Sequence, residues 1–171
     1  MFGASGALLF GSCNPACAPT ATPAPAAPAT VAAPATFALQ AKPLQAPCTY
    51  TDTYGQARSG GRVHLGTDIG AAEGNEIYAM AGGEVIKVYA NEPLAGNGLR
   101  VRTADGTVIF YAHLSALVTG IVVGTTLTAG QLVGYVGQTG NAGGPHLHVE
   151  IHRPGTGAVN PYPLVSAIGA C

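Results

Sequence analysis

Residues 143–151 read GGPHLHVEI. Side chains alternate along a strand, so residues two apart share a face. His146, His148 and Glu150 then point one way, and Leu147, Val149 and Ile151 point the other. The aliphatic set is what a strand needs to sit on a core. The polar set places two imidazoles side by side on the accessible face. Pro145 has no N–H to give a ladder and so suits a strand's first residue, while Gly143 and Gly144 mark a turn before it.

On either side of it, Gly, Asn and Asp punctuate a series of short apolar runs at 76–80, 84–90, 99–103, 107–114, 121–123, 131–137 and 146–152. Asp105-Gly106 is a good hairpin signal. No stretch gives a convincing amphipathic helix. The turn spacing alone predicts an all-β, antiparallel domain beginning near residue 48 and reaching about 165, with the rest of 48–171 completing it. Before it, residues 14–47 form a Pro/Ala/Thr tract whose first charge is Lys42. Repeated Pro blocks helix and ladder alike, so the expectation is an extended Pro/Ala-rich tether. Residues 1–13 are apolar and small, without Lys or Arg. Signal peptide, lipid anchor and hydrophobic plug into a partner stand equal for this segment.

Composition excludes several classes. Net charge is −1 and only 9% of the 171 residues are charged, so no basic footprint for nucleic acid exists. There is no Trp, and aromatics make up 6%, too few for a platform on which bases stack. No apolar run reaches the roughly 18 residues of a membrane span.

The chemistry rests on histidine. A hydrolytic zinc site needs about three protein ligands and an open position for water. His148 can provide one ligand. His64 and Asp68, with three residues between them in a Gly-containing loop, can wrap one ion from the same short segment. His113, ending the apolar run FYAH, and His146, one face-step from His148, are free to act on the water. Each residue also has an ordinary reading as a loop, turn or strand-end residue. Four histidines in compact motifs beside turn glycines shift the balance toward a metal. Glu150 is a competing ligand by parity, and spacing does not exclude it. His152 lies a further step along beside Arg153 and keeps the ordinary reading.

Taken together, GRVHLGTDI (61–69), YAHL (111–114), GYVGQTG (134–140) and GPHLHVE (144–150) resemble the lysostaphin-type (M23) zinc metallopeptidases, in the family's order. The resemblance runs from about Tyr50 to Pro163. It implies a lysostaphin-like antiparallel β fold, Zn2+ held by His64, Asp68 and His148, and a water flanked by His113 and His146. Glu150 then becomes a supporting residue. The implied activity is hydrolysis of peptide crosslinks or stems of bacterial peptidoglycan, with zinc polarising the scissile carbonyl and activating water. The alternative is a catalytically silent wall-binding or activator module on the same fold. Two departures, the absence of Lys in 122–131 and Asn141-Ala142-Gly143-Gly144 before His146, bear on substrate preference. The implied setting is extracytoplasmic or a phage virion tail. A membrane anchor or phage tail proteins are the expected partners through residues 1–47.

Four cysteines, Cys13, Cys17, Cys48 and Cys171, avoid every zinc motif and allow three disulfide connectivities. Cys48 opens the β domain and Cys171 ends the chain. Domain termini are often close together, so a bridge between these two is expected.

Overall fold

The computed structural model describes Gly3 and residues 37–171. The expected apolar segment 1–13 (Gly3 aside), the tether over 14–36, and Cys13 and Cys17 lie outside the described residues. In order come β1 (Thr49–Tyr50), β2 (Thr67–Gly70), β3 (Glu76–Tyr78), β4 (Gly83–Glu92) and β5 (Gly96–Arg102). There follow β6 (Val108–Leu117), β7 (Thr126–Leu127), β8 (Leu132–Val136), β9 (His146–Arg153), β10 (Gly157–Val159) and α1 (Tyr162–Ile168). The sheet runs β1–β2–β9–β6–β5–β4–β7, with β10 beside β9 and β8 joining β6 to β3, all antiparallel. This is the all-β, antiparallel fold the turn spacing predicts.

The aliphatic face of β9 fixes its place at the centre. Leu147, Val149 and Ile151 are fully buried, each contributing roughly 1.5–3 kcal/mol on burial. Ile69 stands opposite Leu147, Tyr111 opposite Val149 and Ile109 opposite Ile151, all buried. One residue along, the opposite face pairs Asp68 and Ala112 with His148, and Phe110 with Glu150. The alternation that builds the core therefore also builds the site.

The structure corrects the sequence reading at three places. Residues 37–47, expected as tether, pack on the domain: Leu44 and Leu39 are buried in the core. Their backbones are satisfied by Met80, Tyr78 and Ala170, as in Gln40 N–H to Met80 O at 2.8 Å and Leu44 N–H to Ala170 O at 3.2 Å. Leu39, Leu44 and the partly buried Phe37 give this Pro-containing segment its apolar contact with the core. Second, the expected strand at 121–123 is a turn with Val122 and Val123 exposed, because Gly120 and Gly124 bracket it in left-handed conformations. The pairing strand is β7 instead. Third, the short helix α1 was not expected. Pro163 in its first turn and Gly169 after its end are its sequence signals, and Val165 is its buried residue.

Cys48 and Cys171 are bonded, with Cα atoms 6.0 Å apart. The positional expectation holds. Among the described residues no helix is long and apolar enough to cross a membrane.

Candidate active site

The polar face of β9 opens onto a groove of about 630 Å3 that contains His64, Asp68, His113, His146 and His148. All five residues singled out in the sequence thus converge. Three donor atoms form a triangle: His64 Nε2 to His148 Nδ1 is 2.9 Å, His148 Nδ1 to Asp68 Oδ1 is 2.9 Å, and His64 Nε2 to Asp68 Oδ1 is 3.1 Å. Gly66 makes this closeness accessible to the loop between His64 and Asp68. A Cβ there would lie 2.4 Å from the Val149 carbonyl oxygen and 2.6 Å from His148 Cε1.

The outer nitrogens set which ring nitrogens face inward. A carbonyl oxygen can only accept, so the ring nitrogen facing it carries the hydrogen. His64 Nδ1–H donates to Thr53 O, His113 Nδ1–H to Thr139 O and His146 Nδ1–H to Gly144 O, each at 2.8 Å. Their Nε2 lone pairs are left for the site. His148 is turned around, its Nε2–H donating to Glu150 Oε1 at 3.2 Å and its Nδ1 facing inward. Such outer partners fix ring orientation and tautomer in metal sites. Glu150 accordingly supports His148 and also accepts from His152 Nε2 at 2.5 Å.

Charge follows the same plan. Burial raises the Asp68 pKa, but its contacts with His148, His64 and the Arg58 guanidinium outweigh it and hold the carboxyl well below the usual range. Arg58 Nη2 donates to Asp68 Oδ2 at 2.6 Å, leaving Oδ1 for the triangle. Burial opposes charging His148, yet its bonds to Asp68 and Glu150 prevail and raise its pKa. Burial likewise works against ionised Glu150, and the bonds from His148 and His152 bring it down to about 2. The cluster attracts one positive charge at its centre, carried by a proton on His148 Nδ1 or by a metal ion that displaces it. Two imidazole nitrogens and a carboxylate oxygen are donors that zinc accepts, so the residues present fit that ion. Among the described residues these three form the group that could hold a metal.

His113 and His146 flank the triangle, their ring centroids 4.7 Å apart, with His146 Nε2 3.6 Å from Asp68 Oδ1. His113 reaches the site through a bulge. Its φ is +66°, and it sits with Ala112 where two β6 residues oppose Gly98 alone, between the pairs Leu99–Tyr111 and Asn97–Leu114. Simple alternation would have sent its ring into the core with Tyr111. Burial, foremost, holds its pKa down at about 4, so the ring is neutral near pH 7.

The sequence reading missed Arg58, the Thr53 and Thr139 carbonyls, and Gly144 as the acceptor for His146. Thr139 lies in the quoted GYVGQTG motif. Its Oγ also donates to Leu114 O at 2.7 Å, anchoring the loop to β6. Carbonyl acceptors leave no residue-type signal. Arg58 did have one, being a cation ten residues before a ligand-type Asp.

The fold is thus an antiparallel β protein whose polar face carries a groove with a His/Asp/His group able to hold a metal ion and two further imidazoles. The description of peptidase family M23 matches residues 62–161. The chain belongs to that family. It is 40% identical over 102 residues to the DD-carboxypeptidase/endopeptidase Mpg of Neisseria meningitidis, covering 58% of this chain and 22% of that one. It is 39% identical over 124 residues to the murein hydrolase activator EnvC of Escherichia coli, covering 71% and 27%. The catalytic domain of the antimicrobial peptidase lysostaphin from Staphylococcus simulans superposes with a TM-score of 0.60 at 28% identity, covering 69% of this chain and 92% of that one. The chain spans about a quarter of the length of these two curated relatives.

Proposed function

We propose that this chain is a zinc-dependent endopeptidase that hydrolyses peptide bonds of bacterial peptidoglycan outside the cytoplasm. The observation that carries it is the convergence of inward-facing lone pairs from five residues, each fixed by an outer partner, in an open groove. In this reading His64, Asp68 and His148 hold the zinc, which supplies a Lewis acid for the scissile carbonyl and acidifies water. His146 and His113 are both set as bases, because their hydrogens are committed at Nδ1. Nε2 of one takes the proton of the attacking water and later returns it to the leaving amine nitrogen. Once protonated at Nε2, the other can donate to the developing oxyanion. The disulfide supports an oxidising compartment. Residues 1–47 would serve for delivery, through a membrane anchor or a phage tail, with 37–47 also part of the domain.

The second reading, an activator without turnover, is favoured by the likeness to EnvC. It does not account for the retention of His113 on a strained backbone in the groove. The test is to load the full chain with zinc and digest purified cell walls of several bacterial types. New amino termini, identified by mass spectrometry and abolished by a chelator, are expected. A zinc-loaded chain that frees no amine from any wall, yet stimulates a second hydrolase, would establish the activator reading instead.

A further inference from the structure

The groove has two unlike arms that meet at Asp68 and His146. One runs past Thr49, Tyr50, Thr51, Gly70 and Gly143-Gly144 and adds no charged side chain of its own. The other runs across the sheet toward β4 and holds Arg58, Arg62 and Arg100. Two of these cations are occupied. Arg58 is bonded to Asp68, and Arg62 is folded back on the oxygens of Ser59. Arg100 differs. Its Nε is buried and finds no hydrogen-bond partner among the described residues. Its Nη2 makes only a long ion pair with Glu150 Oε2, 3.9 Å away and beyond hydrogen-bonding range, and both Glu150 oxygens already accept from histidines.

The register explains how Arg100 is presented. Glu150 of β9, Phe110 of β6 and Arg100 of β5 form one cross-strand row on the face that bears the site. The guanidinium lies over the Phe110 ring at 4.7 Å, and Phe110 in turn packs toward His148, ring centroids 6.1 Å apart. Lys87 of β4 stands opposite Arg100 in that row, and Tyr89, two residues on, lies 5.1 Å from Phe110 with Lys87 Nζ 4.3 Å over its ring. Stacking of this kind holds a planar guanidinium flat while leaving its edge free for bidentate bonding to a carboxylate.

We infer that Arg100, held on Phe110 and Tyr89, is a specificity residue that binds a free carboxylate of the substrate peptide on the β4–β5 side of the scissile bond. The inference rests on the proposed peptidase activity and names its substrate as an acidic peptide. The reach is suitable: two strand spacings of about 4.8 Å separate the β9 and β5 backbones, which two to three extended residues span. The neutral arm would take the uncharged side of the substrate.

The test uses matched soluble wall peptides that differ only in whether the glutamate or diaminopimelate carboxyl is free or a carboxamide. For the wild-type chain, kcat/KM should favour one free-carboxylate form by about ten- to a hundredfold, carried by KM, as expected for charge-assisted hydrogen bonds. Arg100→Gln should bring that ratio to near one, and Arg100→Lys should restore part of it. Calorimetric binding of the same peptides to wild-type chain, with the scissile bond made uncleavable, gives a second readout free of turnover and of any folding defect in the variants. Equal binding of both forms, or a preference that survives in folded Arg100→Gln, overturns the inference. If no peptide is cleaved while the carboxylate form still binds tenfold tighter, the activity reading fails and the carboxylate site stands.

Discussion

Replacing Gly66 by Ala tests whether the metal triangle depends on the close passage of the 64–68 loop over β9. The glycine has an ordinary φ, so alanine introduces no backbone strain and the effect is steric alone. The new Cβ would sit 2.4 Å from the Val149 carbonyl oxygen, where ordinary contact begins at 3.4 Å, so about 1 Å must be found. β9 cannot supply it, being hydrogen-bonded to β2 and β6 on its two sides. The His148 ring, 2.6 Å from the same Cβ, is held by Glu150 and Asp68. The loop must therefore lift, carrying His64 away from His148 and from Asp68, which stays in the β2–β9 ladder. Metal sites tolerate ligand displacements of about 0.2 Å, so a shift several times larger should weaken zinc by at least about 10- to 100-fold. The added methyl should also cost about 1–3 kcal/mol, seen as a fall of a few to about ten degrees in Tm. Zinc competition against a chromogenic chelator, with thermal unfolding of the metal-free chain, measures both. An alanine variant with zinc affinity within about threefold of wild type and an unchanged Tm would refute the reasoning.

The remaining expectations are these. His64→Ala, Asp68→Ala and His148→Ala should each lose zinc and turnover together, whereas His113→Ala and His146→Ala should keep zinc and lose about 10²- to 10⁴-fold in kcat; metal analysis of the purified variants separates the two groups, and a zinc-free His113→Ala would make that residue a ligand. Leu44→Ala should destabilise the domain by about 2–5 kcal/mol in urea unfolding, because Leu44 is 1% exposed; a neutral result would return 37–47 to the tether. A chain starting at Phe37 should match full-length turnover on small wall peptides, and one starting at Cys48 should unfold at markedly lower temperature. Cys171→Ser should lose about 2–4 kcal/mol by opening a bridge between residues 123 apart, read as a lower urea midpoint under non-reducing conditions.

What the sequence made legible follows from the two-residue period of a strand. His146, His148 and Glu150 lie on one face and Leu147, Val149 and Ile151 on the other, as the alternation predicts, and the Asp-Gly hairpin falls between β5 and β6. His64 and Asp68 come together because a four-residue spacing in a short loop leaves little freedom. The strap at 37–47 was hidden because two leucines give no periodicity, and their burial depends on Met80, Tyr78 and Ala170, which are remote in sequence. The turn at 121–123 was hidden because β-branched residues read as strand wherever glycines do not override them.

His113 shows the deeper limit. By alternation from Ile109 and Tyr111, its ring belongs in the core, and a core histidine would be a poor catalyst. What brings it out is a change of partner: β6 pairs with β9 up to Ala112 opposite His148, and with β8 from Leu114 opposite Val136. Between those two residues the strand must absorb one extra position, and it does so at a left-handed His113 facing the residue Gly98, whose own Cβ would meet the Tyr111 carbonyl at 2.3 Å. The bulge costs about 1–3 kcal/mol at a non-glycine residue. It is held by the His113 N–H to Ala95 O and by the ring's bond to Thr139. The strained residue and the change of neighbour coincide: β6 passes from β9 to β8 at the position whose ring turns out beside His146.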